Sequence, residues 1–123
     1  MDEELLKLPE KFVLAHFYIA SGDEVKPTAT IKLKVHGKVV EATSSGDGPV
    51  DACYKAIDKI TGSSGRLLDY QIRSVTGGKD ALGEVSVKIE TKGKIISGRG
   101  ASTDIIEASI KAYVNAANKL VRK

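Results

Sequence analysis

The residues best suited to chemistry stand in two short segments. They are Gly46-Asp47-Gly48-Pro49-Val50-Asp51-Ala52 and, 56 positions later, Ser102-Thr103-Asp104-Ile105-Ile106-Glu107-Ala108. Each reads as the start of a helix: Gly48 and Asp104 fall at the N-cap, Pro49 and Ile105 at the first helical position, and Asp51 and Glu107 at the third, from which a carboxylate bonds back to the cap N–H. A helix start carries unpaired N–H groups and the positive end of the macrodipole, so it draws a small anion. Gly46 and Gly48, like Gly98 and Gly100 in the second copy, are expected to leave backbone amides uncovered for such an anion. A carboxylate fits. If its owner is a zwitterion, Asp47, Asp51 or Asp104 accepts from the ammonium group, and an apolar slot takes the remainder. A phosphate cradle fits less well, because it wants a lysine directly after the glycines and Pro49 stands there. Capping alone accounts for the same residues, so spacing leaves both readings open.

Other chemistries find less support. Cys53 is the only cysteine, which excludes an internal disulfide and a thiolate zinc site, and it reads as a small core residue on a helix. His16 and His36 read as solvated strand residues of opposite phase, without partners at metal-ligand spacing. No nucleophile triad, acid–base pair or cofactor loop emerges. The 19 basic and 16 acidic residues give a net charge of +3, and the lysines are scattered, which argues against a nucleic-acid footprint. Lys32, Lys34 and Lys38 read as the wet face of a hairpin. No apolar run reaches bilayer length and the first residues lack the core of a signal peptide, so a cytoplasmic, membrane-free setting is expected.

These helix starts are positioned by a chain written twice. The offset that aligns Gly37 with Gly93 also aligns Lys32 with Lys88, Ala52 with Ala108, Lys55 with Lys111 and Ala56 with Ala112. In the first copy, β-formers from Phe12 to Ala20 precede a run in which Ala29, Ile31, Leu33 and Val35 alternate with polar residues. In the second, Leu68 to Thr76 precede Val85, Val87 and Ile89 in the same alternation. Tight turns at Gly37 and Gly93 return the chain as a third strand. A helix follows each hairpin. The first runs from about Pro49 to Ile60 with Val50, Cys53, Ile57 and Ile60 on one face; the second carries Ile106, Ile110, Tyr113, Ala117 and Leu120 as its stripe. The expected fold is α+β, an internal duplication (βββα)₂ of antiparallel sheets with two helices packed on them about a pseudo-twofold axis. Residues 12–60 form repeat one and 68–121 repeat two, within a single domain spanning 12–123. Thr61 to Arg66 is the joint, and residues 1–11 read as the remnant of a linker.

Together the segments Gly46 to Ala52, Leu68-Asp69-Tyr70, Ser74-Val75-Thr76-Gly77-Gly78, Asp80 to Val85 and Gly100 to Ser109 resemble the C-terminal regulatory domain of α-isopropylmalate synthases, over nearly the whole chain. In that family the full enzyme condenses acetyl-CoA with 2-oxoisovalerate on a metal-dependent TIM barrel, and this domain receives leucine as feedback inhibitor. A barrel alone takes about 250 residues, so the resemblance implies no catalysis by this chain. The divalent metal and acetyl-CoA would belong to the catalytic domain, with no cofactor here. The resemblance further implies a homodimer that partners the barrel of its parent enzyme, with the inhibitor near the dimer interface. There Gly46, Asp47, Gly48, Pro49, Val50 and Asp51, with Ser102, Thr103 and Asp104, would contact the α-carboxylate and α-ammonium groups. Leu67, Tyr70, Ser74 and Ala81 would surround the aliphatic side chain. Related citramalate synthases use a similar domain for isoleucine, which makes isoleucine the rival ligand. A purely dimerising scaffold is the alternative of a different class.

Overall fold

A computed structural model of the protein describes residues 12–62, 65–76 and 81–121. The strands are β1 (Phe12–Gly22), β2 (Val25–Val35), β3 (Lys38–Ser45), β4 (Arg66–Thr76), β5 (Ala81–Thr91) and β6 (Lys94–Ser102). Helix α1 (Pro49–Thr61) follows β3, and α2 (Ile105–Val121) follows β6. The strands form two separate antiparallel sheets in the orders β1-β2-β3 and β4-β5-β6, so the (βββα)₂ expectation holds. Residues 1–11, expected above as a linker remnant, the Gly77-Gly78 pair and part of the joint lie outside the described residues.

The duplicated hairpin turns have one cause. His36 and Gly37 have φ of 53° and 82°, and Lys92 and Gly93 have 53° and 77°. Two consecutive positive φ values make a type I′ turn, whose twist matches that of the strands it joins. The pairs Val35–Lys38 and Thr91–Lys94 close these two-residue loops. His36 is therefore a turn residue and not the strand residue its neighbours implied.

The alternation of β2 and β5 buries Ala29, Ile31 and Leu33 in one sheet and Val85, Val87 and Ile89 in the other. Each helix lies on the second and third strands of its own sheet, the two helices touch, and α2 also reaches β1. Because they meet more than one neighbour, the helices bury more than a single stripe. Ala52, Cys53, Tyr54, Ala56 and Ile57 are buried on α1, while on α2 Ala108, Ser109, Ala112, Val114, Ala116 and Asn118 join Ile110 and Tyr113. The β6 glycines explain the alanines. A Cβ at Gly98 would stand 2.1 Å from the Ala112 carbonyl oxygen, and one at Gly100 would stand 2.4 Å from that of Ala108. Gly98 and Gly100 thus permit close approach of strand and helix backbones. Their missing side chains serve this packing, where their equivalence to Gly46 and Gly48 had implied an opening for an anion.

The helices run side by side in the same direction. The Tyr54 hydroxyl donates to the Ser109 carbonyl at 2.9 Å, and four residues further along each helix the Tyr113 hydroxyl donates to Asp58 at 2.7 Å. Strand β4 runs against both: Gly65 lies beside the Tyr113 hydroxyl, and Tyr70 lies beside Ser109. Both helix N-termini therefore face the same end of the domain. Among the described residues, no helix is long and apolar enough to cross a membrane.

Candidate ligand-binding site

The two helix starts differ in their charge. In α1, Gly48 is the N-cap, with extended backbone at φ −153° and ψ 175°, and no side chain caps the helix. Pro49 has no N–H, so the amides of Val50 and Asp51 are the first donors an outside anion meets. In α2, Asp104 is the cap: its Oδ1 accepts the Ile106 N–H at 2.9 Å, and its own N–H donates to Ser102 Oγ at 3.2 Å. A carboxylate already occupies that end. The second start can accept from an ammonium group but repels an anion.

The third-position acids act differently from a reciprocal capping box. Asp51 Oδ2 accepts the N–H of Asp47, one residue before the cap, at 2.9 Å, and Glu107 Oε1 accepts the Ser102 hydroxyl at 3.0 Å. The reason lies at Gly46, where a Cβ would stand 2.5 Å from Asp51 Oδ2. The absent side chain leaves room for the carboxylate to fold back. Gly46 is buried, and its N–H donates to the Pro27 carbonyl. Of the two glycines in the first segment, only Gly48 stays open, with nothing within 4 Å of an added Cβ. The bond from Asp47 N–H, aided by Lys55 at 3.2 Å, holds the Asp51 carboxyl below its ordinary range. Bonds from Ser102 and from Lys111 at 3.3 Å do the same for Glu107.

A groove of about 430 Å³ begins at the first turn of α1 and runs between that helix and β4, within the roughly 300–1,000 Å³ range of small-molecule sites. Val50, Asp51, Leu67 and Tyr70 line it together, so four of the expected contacts share one space. The β4 residues share a face because of an irregularity. Leu67 pairs with Ile89, Tyr70 with Val87, Ile72 with Val85 and Ser74 with Gly83, with a register shift between Leu67 and Asp69. Directly opposed residues face the same side of a sheet, and the extra residue switches Leu67, odd-numbered, onto the face of its even-numbered neighbours. This face is incompletely covered. Leu67 and Ile72 remain 42% and 54% exposed, whereas Phe12 of β1, reached by α2, is 3% exposed.

Ser74 is exposed further along β4, opposite Gly83, against which the Ile105 side chain of α2 closes. Ala81 opens β5 across from Thr76. Ser102, Thr103 and Asp104 gather at the start of α2 and do not line the groove. Five groove residues escape sequence reasoning: Tyr54, Lys55, Asp58, Gly65 and Tyr113. The rings of Tyr54 and Tyr113 stack with centroids 4.0 Å apart at 16°. Burial pushes the Asp58 carboxyl up to about 6, against the opposing pull of hydrogen bonds from the Tyr113 hydroxyl and the Gly65 N–H. No spacing rule marks Asp58, because its environment comes from the other repeat. Cys53 is wholly buried and burial pushes its thiol up to about 12, so it carries no thiolate at neutral pH.

Residues 1–121 match the family described as the LeuA allosteric (dimerisation) domain. The chain is 54% identical over 98% of its length to a 2-isopropylmalate synthase of Carboxydothermus hydrogenoformans, and 51% identical over 98% to one of Heliobacterium modesticaldum. It spans about a quarter of the length of these curated relatives, 24% in each case. With two βββα repeats, a groove between them and a match over almost every residue, the chain belongs to the LeuA allosteric (dimerisation) domain family.

Proposed function

We propose that this chain is the leucine-sensing module of a 2-isopropylmalate synthase, binding the amino acid as feedback inhibitor and catalysing nothing itself. The observation that carries the reading is the bare N-cap at Gly48, just ahead of the first-turn residues Val50 and Asp51, which line a groove with Leu67 and Tyr70, although Gly46, Asp47, Gly48 and Pro49 do not line it themselves. An α-carboxylate at the amides of Val50 and Asp51 gains charge-assisted hydrogen bonds and the helix dipole. The ammonium group has Asp51 beside it and Asp104 on the neighbouring helix start. Leu67, Tyr70, Ser74 and Ala81 belong to the strand face and strand end that would receive the branched side chain. The family's description as a dimerisation domain, together with the incompletely covered face of β4, supports pairing of two copies around this region. Through that pairing the ligand would bias the catalytic barrel of the parent enzyme, in a cytoplasmic setting, by binding one state more tightly than another.

The rival reading is a scaffold that only dimerises, and the capping and packing roles of Gly46, Gly98, Gly100 and Asp104 favour it. Calorimetric titration of the 123-residue chain with leucine, isoleucine and valine separates the two. Saturable binding of leucine, tighter than of the other two, is expected. Heat from none of the three leaves the scaffold, and tighter isoleucine binding assigns the chain to a citramalate-type sensor.

A further inference from the structure

Ser109 is fully buried on α2 and gathers hydrogen bonds from three directions. Its Oγ donates to the Ile105 carbonyl at 2.8 Å, which spends its one proton. The Tyr70 hydroxyl, 2.6 Å from the same Oγ, is therefore the donor in that pair. The Ser109 carbonyl accepts the Tyr54 hydroxyl. One residue thus joins a groove wall on β4, a groove wall on α1 and the first turn of α2, the turn that Asp104 caps. A serine inside a helix gains little from its own i−4 bond, and a merely space-filling position would take alanine, as Ala108 and Ala112 do beside it.

We propose that Ser109 is the positioning residue that holds Tyr70 in the ligand groove and ties that wall to the first turn of α2. The proposal rests on the leucine-sensing reading. A ligand side chain pressing on the Tyr70 ring acts on the Tyr70–Ser109 bond, and through the Ser109–Ile105 bond on the helix start that holds Asp104. The two unequal helix starts then respond as a unit, although only the first opens onto the groove.

The test is a double-mutant cycle in the full chain with Ser109→Ala and Tyr70→Phe. Leucine affinity would be read from tyrosine emission, which no tryptophan obscures and to which four tyrosines contribute, and checked by calorimetry. Each single variant breaks the same neutral hydrogen bond and is expected to weaken leucine binding about five- to tenfold. The double variant should be no weaker than either single one, because the interaction is already gone. Urea midpoints without ligand report folding separately. Unchanged affinity in Ser109→Ala alongside a lowered midpoint would show a structural role alone and overturn the proposal, as would losses that multiply in the double variant. If the wild-type chain binds no branched-chain amino acid, the sensing reading and this proposal fall together; binding with a failed cycle removes this proposal only. Should Ser109→Ala not fold, Tyr70→Phe with unchanged affinity overturns it from the other side.

Discussion

Replacing Gly48 by aspartate sets the ligand and cap roles of the first helix start against each other. The backbone there is extended and nothing lies within 4 Å of an added Cβ, so the side chain enters without strain. Aspartate is a better N-cap than glycine by a few tenths of a kcal/mol, and its charge gains about 0.3–1 kcal/mol from the dipole. The unliganded Gly48→Asp chain should therefore be as stable as the wild type or slightly more so. The same carboxylate occupies the amides meant for the ligand and repels its anion. Losing even one charge-assisted bond costs about 1.5–3 kcal/mol, and losing two weakens binding by more than about a hundredfold. At leucine near a hundred times the wild-type Kd, the wild type gains about 2.7 kcal/mol, or roughly 10 °C in Tm at about 4 °C per kcal/mol. The variant should gain under about 2 °C. Thermal melts at fixed chain concentration, with and without leucine, read both quantities, and Gly48→Asn separates charge from bulk by keeping part of the response. A full leucine shift in Gly48→Asp would refute the placement of the carboxylate at this helix start.

Further outcomes follow from individual contacts. Burial raises the folded Asp58 carboxyl from 3.8 to about 6, so between those values the folded chain binds more protons than the unfolded one. This group's contribution therefore falls as pH rises from about 4 through 6. Urea midpoints of Asp58→Asn should lack that downward component, and identical pH profiles would contradict it. Gly100→Ala forces a Cβ to 2.4 and 2.5 Å from backbone atoms of Ala108 and Ala112, and should cost about 1–3 kcal/mol or more in urea denaturation. Gly22→Ala, with open space around it, should stay within about 0.5 kcal/mol of wild type. The buried Asn118 amide both accepts from the Phe12 N–H and donates to its carbonyl, at 2.8 Å each. Asn118→Ala should lower stability by about 2–4 kcal/mol and speed hydrogen exchange at Phe12; unchanged exchange would show the clasp to be dispensable.

What was legible in the sequence is what depends on neighbours along the chain. The alternation in β2 and β5, the paired Gly37 and Gly93 turns, the duplication and the caps at Gly48 and Asp104 are local signals, and the structure has all of them. What depended on the other repeat was hidden. The register shift after Leu67 changes which β4 residues share a face, and no propensity announces it. Gly46, Gly98 and Gly100 looked like openings for a ligand, yet a Cβ added at any of them would meet helix or carboxylate atoms that spacing cannot show. Asp58 and Ser109 acquire their surroundings from segments about 55 and 39 residues away, through Tyr113 and Tyr70. The two helix starts match in sequence position but differ in chemistry, one bare and one filled by Asp104, because a glycine and an aspartate at equivalent caps leave different groups exposed.

The account turns on where the ligand's carboxylate sits. Backbone amide resonances of an isotopically labelled chain, followed during a leucine titration, test this directly. The largest shifts are expected at Gly48, Val50 and Asp51, with smaller ones at Leu67 and Tyr70. Shifts that leave the start of α1 untouched, or that gather on the polar outer faces of the sheets, would contradict it.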